Sequence, residues 1–155
     1  MYEKILVPLD GSELAECVLP HVENIIRGGE VREVVFFRVA EPALTSSRYA
    51  EIGLTEADVK RIAAESETAA RKYLDELVDR VNYAKVNVRS EVVTGKAADS
   101  LADFAAKNEV DLIIIATHGR SGISRWVWGS VADRILHSSS VPILMVRPPG
   151  CEPKH

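Results

Sequence analysis

Cysteine is scarce in this chain. Cys17 and Cys151 are the only two among 155 residues, and they share no CxxC or metal-ligand spacing. That argues against a disulfide scaffold and leaves Cys17 as a small apolar helix residue. Long apolar runs are missing as well, since none approaches the roughly 18 residues of a spanning helix. The opening Met1-Tyr2-Glu3-Lys4, followed by four apolar or proline residues, falls short of the apolar stretch of a signal peptide. The expectation is a cytoplasmic protein with no membrane segment. An excess of positive charge is lacking too: 19 Lys and Arg stand against 23 Asp and Glu, a net charge of -4. Without a concentrated positive face there is little polyelectrolyte attraction, so neither nucleic acid nor an anionic membrane surface is an expected partner.

Two common nucleotide signatures are also wanting. Lys96 follows Gly95, but Ser90 stands where a P-loop needs its first glycine, and Ala97 replaces the Ser or Thr after the lysine. No strand-to-helix turn carries the spacing G-x-G-x-x-G.

What is present fits one ordinary domain with a substantial core, at 46% hydrophobic and 27% charged residues. The reading is a domain over 1–147 and a flexible tail over 148–155, where proline and polar groups gather. Ile5-Leu6-Val7 is a short, uniformly apolar run, as expected of a strand covered by helices on both faces. Pro8 and Gly11 end it. Ser12 then offers an N-cap to a helix with apolar positions from Leu14 to Ile26, closed by Gly28-Gly29.

Val34-Val35-Phe36-Phe37 with Val39 repeats the buried-strand signature after a crossover of suitable length. From Glu41 to Gly53 periodicity is lost, which reads as a long loop, a functional lid or a partly disordered segment. Thr55 with Asp58 forms a capping box, and an amphipathic helix runs on to Val81. Val86, Val88, Val92 and Val93 alternate in part, which predicts an edge strand with one wetter face. A helix over Ala97 to Lys107 follows, then Leu112-Ile113-Ile114-Ile115-Ala116, the strongest candidate for a central strand. Ser130 to His137 reads as the last helix and Val141 to Val146 as the last strand. Five strands alternating with four helices predict an α/β fold: a single doubly wound five-stranded parallel sheet, order 3-2-1-4-5, with helices on both faces.

In such a sheet ligands bind beyond the carboxyl ends of the strands, where the strand order reverses. Two loops leave strands there. One is Pro8-Leu9-Asp10-Gly11-Ser12; the other runs from Ala116 through His118, Gly119, Arg120 and Gly122 to Gly129-Ser130. The second has the composition of a phosphate cradle, because glycine admits close backbone approach and a helix N-terminus offers unpaired N–H groups. Turn geometry alone would also account for its glycines. Asp10 suits either a ligand contact or an Asx turn before the helix, and Arg120 suits a triphosphate or solvent. His118 lacks a nucleophile or carboxylate partner at a supporting spacing, and Trp126 and Trp128 suit packing better than base stacking.

From Lys4 to Arg147 the chain resembles the universal stress protein family. The resemblance lies in Ile5-Leu6-Val7-Pro8-Leu9-Asp10-Gly11-Ser12, in Gly119 followed after nine residues by Gly129-Ser130, and in the closing Ser140 to Val146. The nucleotide-binding members carry G-x2-G-x9-G-[S/T]; here the first glycine of that pattern is Ala116. The resemblance implies an adenine nucleotide, ATP or else AMP or ADP, with Mg²⁺ between phosphates. By position it implies that Pro8 and Val39 frame the adenine and that Asp10 reaches ribose or phosphate. Ala116, Gly119, Arg120, Gly129, Ser130 and Val131 would hold ribose and phosphates. It further implies a homodimer through strand 141–146. The expected function is therefore a nucleotide-binding stress-response or signalling module without catalytic machinery. Two rivals stand beside it: a slow ATPase using Asp10, and a nucleotide-free module whose 41–53 loop meets a protein partner.

Overall fold

The computed structural model describes residues 1–40, 46–117 and 130–149. Its strands are β1 (Lys4–Pro8), β2 (Glu33–Ala40), β3 (Asn87–Thr94), β4 (Leu112–Ala116) and β5 (Ile143–Val146). Its α-helices are α1 (Leu19–Gly28), α2 (Ser46–Glu51), α3 (Glu56–Arg80), α4 (Ala97–Lys107) and α5 (Ser130–Ser138). All strand pairs are parallel, and the sheet order is β3-β2-β1-β4-β5. This is the predicted doubly wound arrangement, with β3 at one edge and β5 at the other.

Parity along the strands explains why β4 and the middles of β1 and β2 are apolar without interruption. Ile5, Val7, Val34, Phe36, Leu112 and Ile114 join Val18 and Val22 near α1 and Ala70, Leu74 and Leu77 of α3 in one core. Leu6, Val35, Phe37, Ile113 and Ile115 join Leu101 and Ala105 of α4 and Ala132 and Ile135 of α5 in a second. Each central strand thus feeds two cores, one per face, and its middle residues are buried on both.

Two elements differ from the sequence expectation. The helix after β1 does not start at Ser12: a 3₁₀ turn spans Ala15–Val18, and the α-helical ladder begins at Leu19. Pro20 is the cause. It has no N–H to donate and is tolerated only in the first turn of an α-helix, so the preceding residues take the tighter form. Ser12 Oγ instead accepts a 3.2 Å bond from the Ala15 N–H and so caps the 3₁₀ turn. The second difference lies within 41–53, where α2 replaces part of the expected loop and buries Tyr49. Residues 41–45, and 150–155 of the expected tail, lie outside the described residues.

Candidate functional site

Because β1 and β4 are hydrogen-bonded neighbours and run parallel, the loops that follow them start side by side. The first leads to α1 on one face of the sheet and the second to α5 on the other. Between them is the place where the strand order reverses, so the topology alone opens a crevice at this edge.

The first loop is tightly defined. The Leu9 N–H donates to the Phe37 carbonyl at 2.8 Å, tying the loop to β2 beyond the end of β1. Asp10 Oδ1 accepts from the Ser12 N–H at 2.9 Å and from Ser12 Oγ at 2.6 Å, an Asx turn. Between them Gly11 adopts φ +85°, in the left-handed region that favours glycine. A Cβ added there would lie 2.7 Å from Arg38 Nη1 and 3.0 Å from Arg38 Cζ, so a guanidinium occupies the space a side chain would need.

The Arg38 guanidinium carbon lies 5.3 Å from the centre of the Tyr73 ring on α3. The Tyr73 hydroxyl donates to Glu16 Oε1 at 2.9 Å, and Arg80 pairs with the other oxygen of that carboxylate. Burial, first, and then the hydrogen bond to Glu16 push the Tyr73 hydroxyl far above its ordinary value, so it stays a donor. The Asp10 charge acts in the same direction on Tyr73 and the Arg38 charge opposes it, which groups all four side chains electrostatically.

The other sequence-predicted residues fall along the same edge in part. Pro8 ends β1 and is half-buried; Val39 is the penultimate residue of β2 and packs toward the α4 and α5 side. Ala116 ends β4, buried in the core beneath α1 and α3, and pairs with Val146 of β5. The following Thr117 is buried and donates its N–H to the Val146 carbonyl at 2.8 Å. Ser130 is the first residue of α5, and Val131 packs against the second core. Gly119, Arg120, Gly122 and Gly129, with His118, Arg125, Trp126 and Trp128, lie outside the described residues.

Sequence spacing did not single out Arg38, Tyr73 or Glu16, which come from three separate elements. The one available signal was an arginine interrupting the apolar run of β2 just before Val39. Among the described residues no group of three or more His, Cys, Asp or Glu could hold a metal ion, and no helix is long and apolar enough to cross a membrane. A concavity of about 480 Å³, lined by Met1 and by the charged residues Glu3, Lys4, Arg32, Glu33, Glu109 and Asp111, lies at the opposite, amino-terminal edge of the sheet.

Comparison with known proteins covers nearly the whole chain. A family model described as the universal stress protein family matches residues 1–147. A universal stress protein of Methanocaldococcus jannaschii is 29% identical over 152 residues, covering 98% of this chain and 86% of the relative. Among solved structures, another universal stress protein of that organism superposes with a TM-score of 0.79 at 24% identity, over 95% of this chain and 96% of its own. A universal stress protein family protein from Arabidopsis thaliana, solved with AMP bound, has a TM-score of 0.64 at 12% identity over 96% of this chain and 93% of its own. A universal stress protein in complex with cAMP has a TM-score of 0.57 at 17% identity over 95% and 98%. At such identities the structural likeness concerns the fold.

Proposed function

The chain belongs to the universal stress protein family, and from that premise we propose that it binds an adenine nucleotide, ATP first, at the carboxyl edge of β1 and β4. The observation that carries this reading is the adjacency of the two loops at the strand-order reversal, one of them holding a fixed carboxylate at Asp10. Solved family relatives with AMP and cAMP support the ligand class. The residues fit such a ligand. Asp10 supplies an acceptor suited to ribose hydroxyls or to a phosphate-bound Mg²⁺, Pro8 and Val39 supply apolar surface for a base, and the start of α5 at Ser130 supplies a helix N-terminus for phosphate. Ala116 in place of glycine puts a methyl group at the end of β4 and leaves the contact to the loop beyond it.

In this reading the protein is a signalling module whose occupied state alters its surface or its association, and it pairs with a second copy through strand 141–146. The decisive test is nucleotide analysis of the gently denatured protein, combined with thermal unfolding against ATP with and without Mg²⁺. At a ligand concentration of about 100 times Kd, mass action stabilises the folded chain by about 2.7 kcal/mol, a rise of roughly 5–10 °C for a domain of this size. Bound adenine nucleotide with such a rise supports the reading. An empty protein with an unchanged midpoint overturns it in favour of a nucleotide-free interaction module. Steady phosphate release that vanishes in Asp10→Ala would make it an ATPase instead.

A further inference from the structure

The polar side chains beside the Asp10 loop do more than fill space. The hydrogen bonds of the Asp10 loop hold its ends and its Asx turn, and the open side at Gly11 is closed by a cation: the Arg38 guanidinium stands where a Gly11 side chain would be, 2.7 Å from the ideal Cβ position. That cation is braced from behind by the face of Tyr73 at 5.3 Å, an arrangement favoured by the ring quadrupole. The ring is itself held. It is half-buried on α3, and its hydroxyl is fixed by Glu16, which Arg80 fixes in turn.

Glu16 belongs to the 3₁₀ turn that begins three residues after Ser12, so the chain of contacts closes on the same loop it supports. We propose that Arg38 is a positioning residue of the nucleotide site: braced on Tyr73, its guanidinium fixes the Gly11 turn and thereby aims the Asp10 carboxylate at the bound ligand. The proposal rests on the nucleotide reading above and adds to it a residue that makes no contact with the ligand.

The test uses the full-length chain and its variants Arg38→Met, Arg38→Lys, Tyr73→Phe and Tyr73→Leu. Titration calorimetry with ATP and NMR exchange of the Gly11 and Ser12 amide protons in the nucleotide-free protein give two independent readouts. Arg38→Met keeps the length of the side chain and loses its charge and planarity. It is expected to weaken ATP about tenfold and to speed exchange at Ser12, whose N–H is held by Asp10. Arg38→Lys should recover only part of the affinity, because an ammonium does not stack on a ring as a guanidinium does. Tyr73→Phe retains the ring and should bind within about twofold of the parent. Tyr73→Leu removes it and should approach Arg38→Met, with the double variant no weaker than either alone.

A folded Arg38→Met with unchanged ATP affinity overturns the proposal, as does Tyr73→Phe proving as damaging as Tyr73→Leu. A parent protein that takes up no ATP overturns the nucleotide reading itself. Amide exchange then judges the brace separately: faster exchange at Ser12 in Arg38→Met upholds it, and unchanged exchange overturns it.

Discussion

Single side chains at the amino-terminal edge show how charge is handled where the sheet meets water. Glu33 opens β2 with its side chain 19% exposed, accepting from Arg89 Nε at 2.7 Å and pairing with Lys4 Nζ at 3.1 Å. Burial alone would raise its pKa. The hydrogen bonds from Arg89 and Lys4, with their positive charges, outweigh burial and hold the carboxyl below its ordinary value of 4.5. A carboxyl depressed by folding stabilises the fold above its unfolded pKa, and that contribution is lost as pH falls through the lower folded value. Glu33→Gln is therefore expected to cost about 1 kcal/mol at neutral pH, because Arg89 and Lys4 lose a shared carboxylate and keep only Glu91 and the Asn108 carbonyl. The difference should shrink as pH falls through the lowered folded value, where the native glutamate is protonated as well. Urea unfolding of both proteins along a descending pH series checks this; a difference that does not change with pH would show that the pair carries no stability.

At the scale of elements, α3 separates two sources of helix stability. Of its 25 residues only Ala70, Leu74 and Leu77 are buried, all in the carboxyl-terminal half. The first half is held by its own chemistry. The capping box joins the Thr55 hydroxyl and the Asp58 N–H at 3.2 Å and Asp58 Oδ2 and the Thr55 N–H at 3.0 Å, and i,i+4 pairs such as Glu56–Lys60 and Glu67–Arg71 follow. Leu74→Ala is expected to cost about 2–5 kcal/mol of global stability by cavity formation. Thr55→Ala should cost about 1 kcal/mol, but only locally, as faster amide exchange over residues 56–60 with the global midpoint nearly unchanged. A Thr55→Ala protein as destabilised as Leu74→Ala would show that the first half of α3 is docked.

The same helix marks how far sequence reading reaches. Its capping box was legible because the motif is local, and the apolar runs of β1, β2 and β4 were legible because burial on both faces leaves no room for polar residues. The 3₁₀ turn is legible in Pro20, which cannot sit in the interior of an α-helix that begins at Ser12. The incomplete burial along residues 56–69, where Val59 and Ile62 are only partly covered, was not, since an amphipathic stripe tells which face is apolar and not how fully it is covered. Arg38, Tyr73 and Glu16 meet only through tertiary contacts between elements far apart in the chain, and no spacing rule joins them.

For the whole molecule, the consequential feature is the end of the sheet at β5. On β5 the carbonyls of Pro142 and Val146 accept from Ile113 and Thr117, so the groups of even-numbered residues face β4. In a parallel strand successive residues alternate, and the N–H and C=O of Ile143 and Met145 must therefore point outward. Ile143, Leu144 and Met145 are only partly buried, and an apolar edge with outward backbone groups is a template for another strand. The expected cover is strand 141–146 of a second copy, giving a dimer at micromolar concentration by light scattering. Met145→Pro removes an outward donor and spares the ladder to β4; the preceding Leu144 is already in the extended conformation a proline requires. That variant should lose about 1–2 kcal/mol of packing and yet remain folded as a monomer. A parent chain already monomeric at that concentration would disprove edge pairing. A Met145→Pro protein that stays dimeric would move the interface elsewhere, because no strand pairing through this edge survives the loss of its central donor without a measurable fall in affinity.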